Sequence, residues 1–196
     1  MSWDPQAMQS TPSEAIRTLR STIKFAGVER PIRSILVVDI DRQTPSGVAE
    51  GLAQAFGNAG DACILIDSRD RAPVEGDEPS LARLIVSPAT LPVRVGEPLR
   101  VPGGADLNAD ALASDGLSAV IQRNVAEGAF VIVACRSAPS FSDAVSIAPR
   151  VDATILVVSA GKSRRAKAVE ARDALARVGA RLMGVVMVEA PKRWFW

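Results

Sequence analysis

The sequence contains no histidine and no tyrosine, has only two cysteines, and is 4% aromatic. Without histidine, zinc enzymes of the usual ligand sets and Ser-His-Asp or Cys-His nucleophiles are excluded. Cys63 and Cys135 sit inside apolar runs and read as small core residues of a reducing compartment, with no sequence neighbour that would activate a thiol or complete a metal site. Long hydrophobic runs are missing too. The longest uninterrupted one, Ala129 to Cys135, falls far short of the roughly 18 residues that suggest a membrane span. Nor is either charge in excess: 23 Lys+Arg against 22 Asp+Glu leave +1, so no general electrostatic hold on nucleic acid is expected and a partner must be recognised by shape. The opening Met1, Ser2, Trp3 and Asp4 lack the basic and apolar regions of a secretory signal, and the expectation is a cytosolic protein.

What is present is core material: 47% hydrophobic residues in a chain of 196, enough for one sizeable domain. Near-continuous apolar runs at Ser34–Val38, Ala62–Ile66, Phe130–Val133, Thr154–Val158 and Leu182–Val188 read as strands buried on both faces, with Leu99–Val101 as a weaker sixth. Helical windows fall between them at Gly47–Asn58, Ser80–Val86, Asp110–Glu127 and Ser163–Val178. This alternation predicts an α/β fold: a single doubly wound domain, a mostly parallel sheet and helices on both faces. The expected boundaries are a tail at 1–10, a domain at 11–189 and an aromatic tail at 190–196.

A further helix precedes the first strand. Thr11, Pro12 and Glu14 read as a capping box with proline at the first helical position. Ile16, Leu19, Ile23 and Ala26 form its apolar stripe, while Glu14, Arg17 and Arg20 lie on an adjoining face. The segment from Ser87 to Asn108, interrupted by prolines and paired glycines, reads as a loop-rich insertion over one sheet edge.

Glu14, Arg17 and Arg20 spell E-x-x-R-x-x-R. The strand ending at Val38 leads into a loop and helix, Ile64–Asp67 ends a second strand on an acid followed by Arg69 and Arg71, and Asp152–Val188 carries two strands around a basic helix. In this order and spacing the chain resembles the cytoplasmic catalytic domain of bacterial tyrosine kinases, the capsular and exopolysaccharide autokinases of the P-loop partition-ATPase superfamily. The resemblance implies a P-loop NTPase-like fold. It also implies that Glu14, Arg17 and Arg20 build an oligomer interface, joining neighbouring subunits in a ring.

It implies a nucleotide site as well, and there this sequence departs from the pattern. A P-loop turns backbone N–H groups around phosphate, neutralises charge with a lysine and places a hydroxyl near Mg²⁺. No lysine occurs between Lys24 and Lys162. Ser46 or Pro45 stands at the lysine position according to loop length, and Pro45 removes a donor. Asp39 and Asp41 add negative charge where a triphosphate would lie. Arg42 is the one candidate substitute cation in the loop, although its planar fork differs from an ammonium. Asp67 keeps the first acid of the family's D-x-D-x-R motif, Arg69 replaces the second, Arg71 fits, and a shifted alignment offers Asp70. The Walker B aspartate corresponds to Ala134, and the base-reading asparagine to Val188. The expectation is no catalytic residue, no metal, and loss of ATP and magnesium as cofactors, with Asp41, Arg42, Ser46, Gly47, Asp67 and Arg71 as a vestigial nucleotide site.

Ser159–Ser163 imitates the tail of a P-loop, but Leu156 stands at its first glycine position. Gly161 therefore reads as a turn, and Lys162, Arg164, Arg165 and Lys167 as a solvated basic helix start. A chain without tyrosine cannot autophosphorylate on one. Arg193, Trp194, Phe195 and Trp196 instead read either as an anchor for a partner or membrane interface, or as aromatics folded over their own domain. The function expected is a catalytically inactive scaffold or regulator of exopolysaccharide synthesis and export, of capsule or holdfast type. Its implied partner is an inner-membrane polysaccharide co-polymerase, a chain-length regulator, which would hold it peripheral to that membrane. It would act in a homo-oligomer ring or with an active paralogue. The alternatives are an atypical ATPase or protein kinase of the same pathway, using Arg42 or a subunit-donated cation, and a partition-type positioning adaptor.

Overall fold

The computed structural model describes residues 13–40, 46–136, 142–161 and 163–189. In chain order the elements are α1 (Glu14–Ala26), β1 (Ser34–Asp39), α2 (Val48–Asn58), β2 (Cys63–Asp67), α3 (Leu81–Val86), β3 (Leu99–Pro102), α4 (Ala109–Ala113), α5 (Asp115–Ala126), β4 (Phe130–Arg136), α6 (Ser142–Ile147), β5 (Ala153–Ser159), α7 (Arg165–Arg177) and β6 (Leu182–Val188). A 3-10 turn at Ala148–Arg150 continues α6.

The strands form one six-stranded sheet in the order β3-β2-β4-β1-β5-β6. Every pairing is parallel, where the sequence reading left room for an antiparallel strand. Alternate side chains separate two cores, as the pleat requires. Ile35, Val37, Leu65, Ile132 and Ile155 face α1 and α2, meeting Ile23, Leu52 and Phe56. Leu36, Val38, Ile64, Ile66, Val131 and Val133 face the opposite side, covered by residues of α3 to α7 including Leu81, Leu117, Ala144 and Leu175. Phe56 of α2 stacks on Phe130 of β4, ring centroids 3.9 Å apart. Cys63 and Cys135 are free and buried in these cores. Burial and the nearby charges of Asp61 and Asp143, respectively, push both thiols up to about 12.

Two local expectations are revised. Ser13 caps α1, its hydroxyl accepting the Ile16 N–H at 3.4 Å, so the helix begins at Glu14, while Thr11 and Pro12, expected at the cap, lie outside the described residues. The helix expected over Asp110–Glu127 is two helices, broken where Ser114 is extended and its hydroxyl returns to the Ala111 carbonyl. Gly116 explains the break, because a Cβ there would stand 2.2 Å from the Ile85 carbonyl oxygen, so only glycine lets the start of α5 press onto the end of α3. The segment 87–108 supplies the edge strand β3 and is anchored by buried Asn124, which accepts from the Leu91 N–H and donates to Ala89 and Val120 carbonyls. Among the described residues no helix is long and apolar enough to cross a membrane.

From central β1 the chain runs outward to β2 and β3, then returns to insert β4 before continuing to β5 and β6. Parallel sheets that reverse direction in this way bind ligands beyond the carboxyl ends of their strands.

Candidate functional site

Those carboxyl ends carry acids. β1 ends on Asp39 and β2 on Asp67, both nearly buried at 3% and 5% exposure. Between them in the sheet, β4 presents Ala134 opposite both Val37 and Asp67. The first turn of α2 adds Glu50. Left unpaired, such buried carboxylates would be costly.

The cation that meets them is Arg69. Its Nε donates to Asp67 Oδ1 at 2.7 Å and one terminal nitrogen to Asp39 Oδ2 at 2.9 Å, while the other serves Glu50 Oε1 and also reaches Asp67 Oδ2. The side chain is only 2% exposed. Local structure delivers it there: the Arg69 N–H bonds the Asp67 carboxylate two residues back, turning the chain at the strand end. Ser68 fastens the turn by donating N–H and hydroxyl to the Ala134 carbonyl. A second guanidinium, Arg100 on β3, bridges Asp67 Oδ2 at 3.0 Å and Asp70 Oδ2 at 2.9 Å.

Burial works against the Asp67 carboxylate, but the hydrogen bonds and charges of Arg69 and then Arg100 hold its pKa below the ordinary value. Burial also opposes the charge on Arg69, and the surrounding acids more than offset it, keeping the guanidinium firmly protonated. Asp39 Oδ1 and Glu50 Oε2 are buried without a hydrogen-bond partner among the described residues. Nor do these residues contain a group of three or more acids or cysteines arranged to hold a metal ion.

The remaining sequence-nominated residues divide. The Ser46 N–H points at Asp39 Oδ2, 3.4 Å away, and its hydroxyl accepts the Val48 N–H, so it closes the first turn of α2. Gly47 supplies the positive φ of 75° that this entry to α2 uses. Arg71 faces away toward α6, where it bonds the Ser68 and Leu107 carbonyls and pairs with Asp143 at 2.9 Å. Asp41 and Arg42 lie outside the described residues, as do Arg193, Trp194, Phe195 and Trp196. Gly161 makes the expected turn at φ 72°, and the Ser163 hydroxyl folds back to accept the Ser159 N–H.

The sequence reading missed Glu50, Arg100 and the part played by Arg69. In the sequence Arg69 reads only as the replacement for an acid, but an arginine two residues after a strand-end aspartate is a signal for a paired turn.

Away from the strand ends, α1 leaves a second feature. Glu14 and Arg17 are exposed and Arg20 is half-buried. Next to them a cleft of about 370 Å³ opens between α1 and edge strand β6, lined by Ala15, Ile16, Leu19, Thr22, Val186 and Met187. Val185 and Met187 on β6 are 56% and 72% exposed.

No protein-family model matches the chain. It is 26% identical over 193 residues to tyrosine-protein kinase YwqD of Bacillus subtilis, covering 91% of this chain and 81% of that protein. It is 25% identical to CapB of Staphylococcus aureus, covering 93% of this chain and 86% of the relative. The kinase domain of Escherichia coli tyrosine kinase ETK superposes with a TM-score of 0.76 at 19% identity, covering 93% of this chain and 78% of that domain. In sequence over nearly all its length, and in its P-loop NTPase-like fold, the chain is thus similar to the bacterial tyrosine-protein kinases.

Proposed function

We propose that this protein is a catalytically silent relative of those kinases, acting as a scaffold or regulator in exopolysaccharide synthesis and export. The observation that carries the reading is the charge at the strand ends: Asp39, Glu50, Asp67 and Asp70 meet Arg69 and Arg100, four negative groups against two positive ones. The residues present do not fit a magnesium triphosphate. Asp39 and Asp67, the acids at the ends of β1 and β2, are already occupied by an arginine. The Ser46 hydroxyl serves the helix backbone, its N–H turns toward a carboxylate, and the excess negative charge repels phosphate.

The useful surfaces are then those that touch other proteins. Helix α1, with Glu14, Arg17 and Arg20, and the apolar cleft it shares with β6 offer a charged rim around a hydrophobic centre, the composition of a protein interface. The resemblance supplies the partner class, a membrane co-polymerase with two spans, through which the protein is held at the inner membrane. Isothermal titration with Mg·ATP and Mg·ADP is expected to show no binding at micromolar concentrations, and co-expression with the co-polymerase is expected to recover the two together. Micromolar nucleotide affinity would overturn the silent reading. Phosphate release abolished by Asp67→Ala would turn it into an ATPase.

A further inference from the structure

We infer that Arg69 is a resident cation: its fixed charge, rather than its packing, holds the ends of β1 and β2 and the start of α2 in one permanent arrangement. The inference rests on the proposed release of this site from nucleotide chemistry, since it gives the same strand ends an internal counter-charge in place of an external one.

Three features carry it. Beyond the apolar core that α2 shares with the sheet, the guanidinium joins the acidic termini of three elements: Asp39 closes β1, Asp67 closes β2 and Glu50 opens α2. It is almost fully withdrawn from water at 2% exposure, so solvent does little to screen these pairs. Buried carboxylate oxygens on Asp39 and Glu50 are left over among the described residues. An arginine present mainly to fill space would not sit in an acid-rich pocket whose acceptors outnumber its donors. Among the described residues the acids are in surplus and the cation is the limiting component. A divalent ion brought by a ligand can leave, whereas a side chain cannot, so strand ends clamped in this way have lost the two-state behaviour that reversible ligation gives.

Charge can be separated from packing with three variants of the full chain, followed by thermal unfolding. Arg69→Met keeps most of the side-chain length and removes the charge; its midpoint is expected to fall by on the order of 10 °C at pH 7. Its stability should also rise as the pH is lowered from about 7 to about 5. Carboxylates deprived of their partner have raised pKa values in the folded state, so the folded form takes up protons that the unfolded form does not. Adding Asp39→Asn and Glu50→Gln to Arg69→Met should restore at least half of the lost midpoint, because the neutralised acids no longer need a cation. Arg69→Lys should lie between wild type and Arg69→Met. If Arg69→Met does not fold at pH 7, the triple variant still decides. A triple variant no more stable than Arg69→Met, or itself unfolded, overturns the inference, as does an Arg69→Met protein with the wild-type midpoint or with stability independent of pH over that range. None of these measurements involves nucleotide, so failure here leaves the silent reading standing, and nucleotide binding by the wild type leaves the rescue result standing.

Discussion

The two ends of the same sheet satisfy carboxylates in opposite ways. At the N-terminal ends, Asp152 precedes β5, and its Oδ2 accepts from the Arg33 and Ser34 N–H groups at 2.8 Å and from the Ser34 hydroxyl at 2.9 Å. Ser34 Oγ in turn accepts the Asp152 N–H at 3.0 Å. One charge is distributed over neutral donors belonging to the strands it joins. At the C-terminal ends, among the described residues, four carboxylates crowd around two guanidinium groups, and acceptors on Asp39 and Glu50 have no partner. The first arrangement is what stability alone produces, since a few aligned dipoles satisfy a carboxylate with no imported charge. The second, among the described residues, carries more negative charge than its cations neutralise. Such an excess marks a place shaped by something besides stability, and it lies where sheets of this type keep their ligand sites.

The most severe way to break the contrast is to load the crowded end further. Ala134 is fully buried beside Asp67. Ala134→Asp restores the acid that the resemblance leads one to expect there, but adds a carboxylate to a cluster already short of cations. We expect a loss of about 4 kcal/mol in urea unfolding at pH 7. A variant of wild-type stability would mean that the end is not overloaded and can take up a cation.

The quiet end should yield less. Asp152→Ala leaves the buried Ser34 N–H and hydroxyl without their acceptor while the Arg33 N–H turns to water, for an expected cost of about 2 kcal/mol by the same measurement. Because this cluster lies at the far end of the sheet, the Arg69 variants and Asp152→Ala should be additive to within about 0.5 kcal/mol. A clear departure from additivity would show that the two ends communicate.

How much of this could be read without coordinates differs by element. The strands were legible because sheets covered on both faces need continuous apolar runs, and Ile35–Val38, Ile64–Ile66 and Val131–Val133 supply them. The break at Ser114 was not, since the pattern across Asp110–Glu127 is continuous and the interruption comes from how closely Gly116 approaches Ile85, a tertiary contact. Helix α6 is six residues long, too short to show a period. The cap at Ser13 was ambiguous because two hydroxyls flank Pro12 and either can serve. At the site, absent lysines and replaced acids were visible as absences. The network was hidden because Arg69 is bonded to Asp39, thirty residues earlier, and Glu50 in a first helical turn is already accounted for by the helix dipole.

The smallest effect is also the most specific to the crowded end. Arg100 holds Asp67 and Asp70 from the edge strand and is 23% exposed, so Arg100→Ala should cost only about 1 kcal/mol at pH 7. Its signature is the acid limb of the stability curve. The folded-state pKa of Asp67 lies below the ordinary aspartate value of about 3.9. A depressed pKa contributes stability that is fully present above the unfolded value and is lost as the pH falls through the folded one. The wild type should therefore keep this contribution down to pH 4 and shed it below. Removing Arg100 takes away one of the two cations that lower the Asp67 pKa while leaving its burial in place, so the folded value moves up and the loss begins at higher pH. Superimposable acid limbs in urea titrations of the two proteins would show that Arg69 alone sets the charge state of Asp67, and that the edge strand contributes shape to this end of the sheet but no electrostatic support.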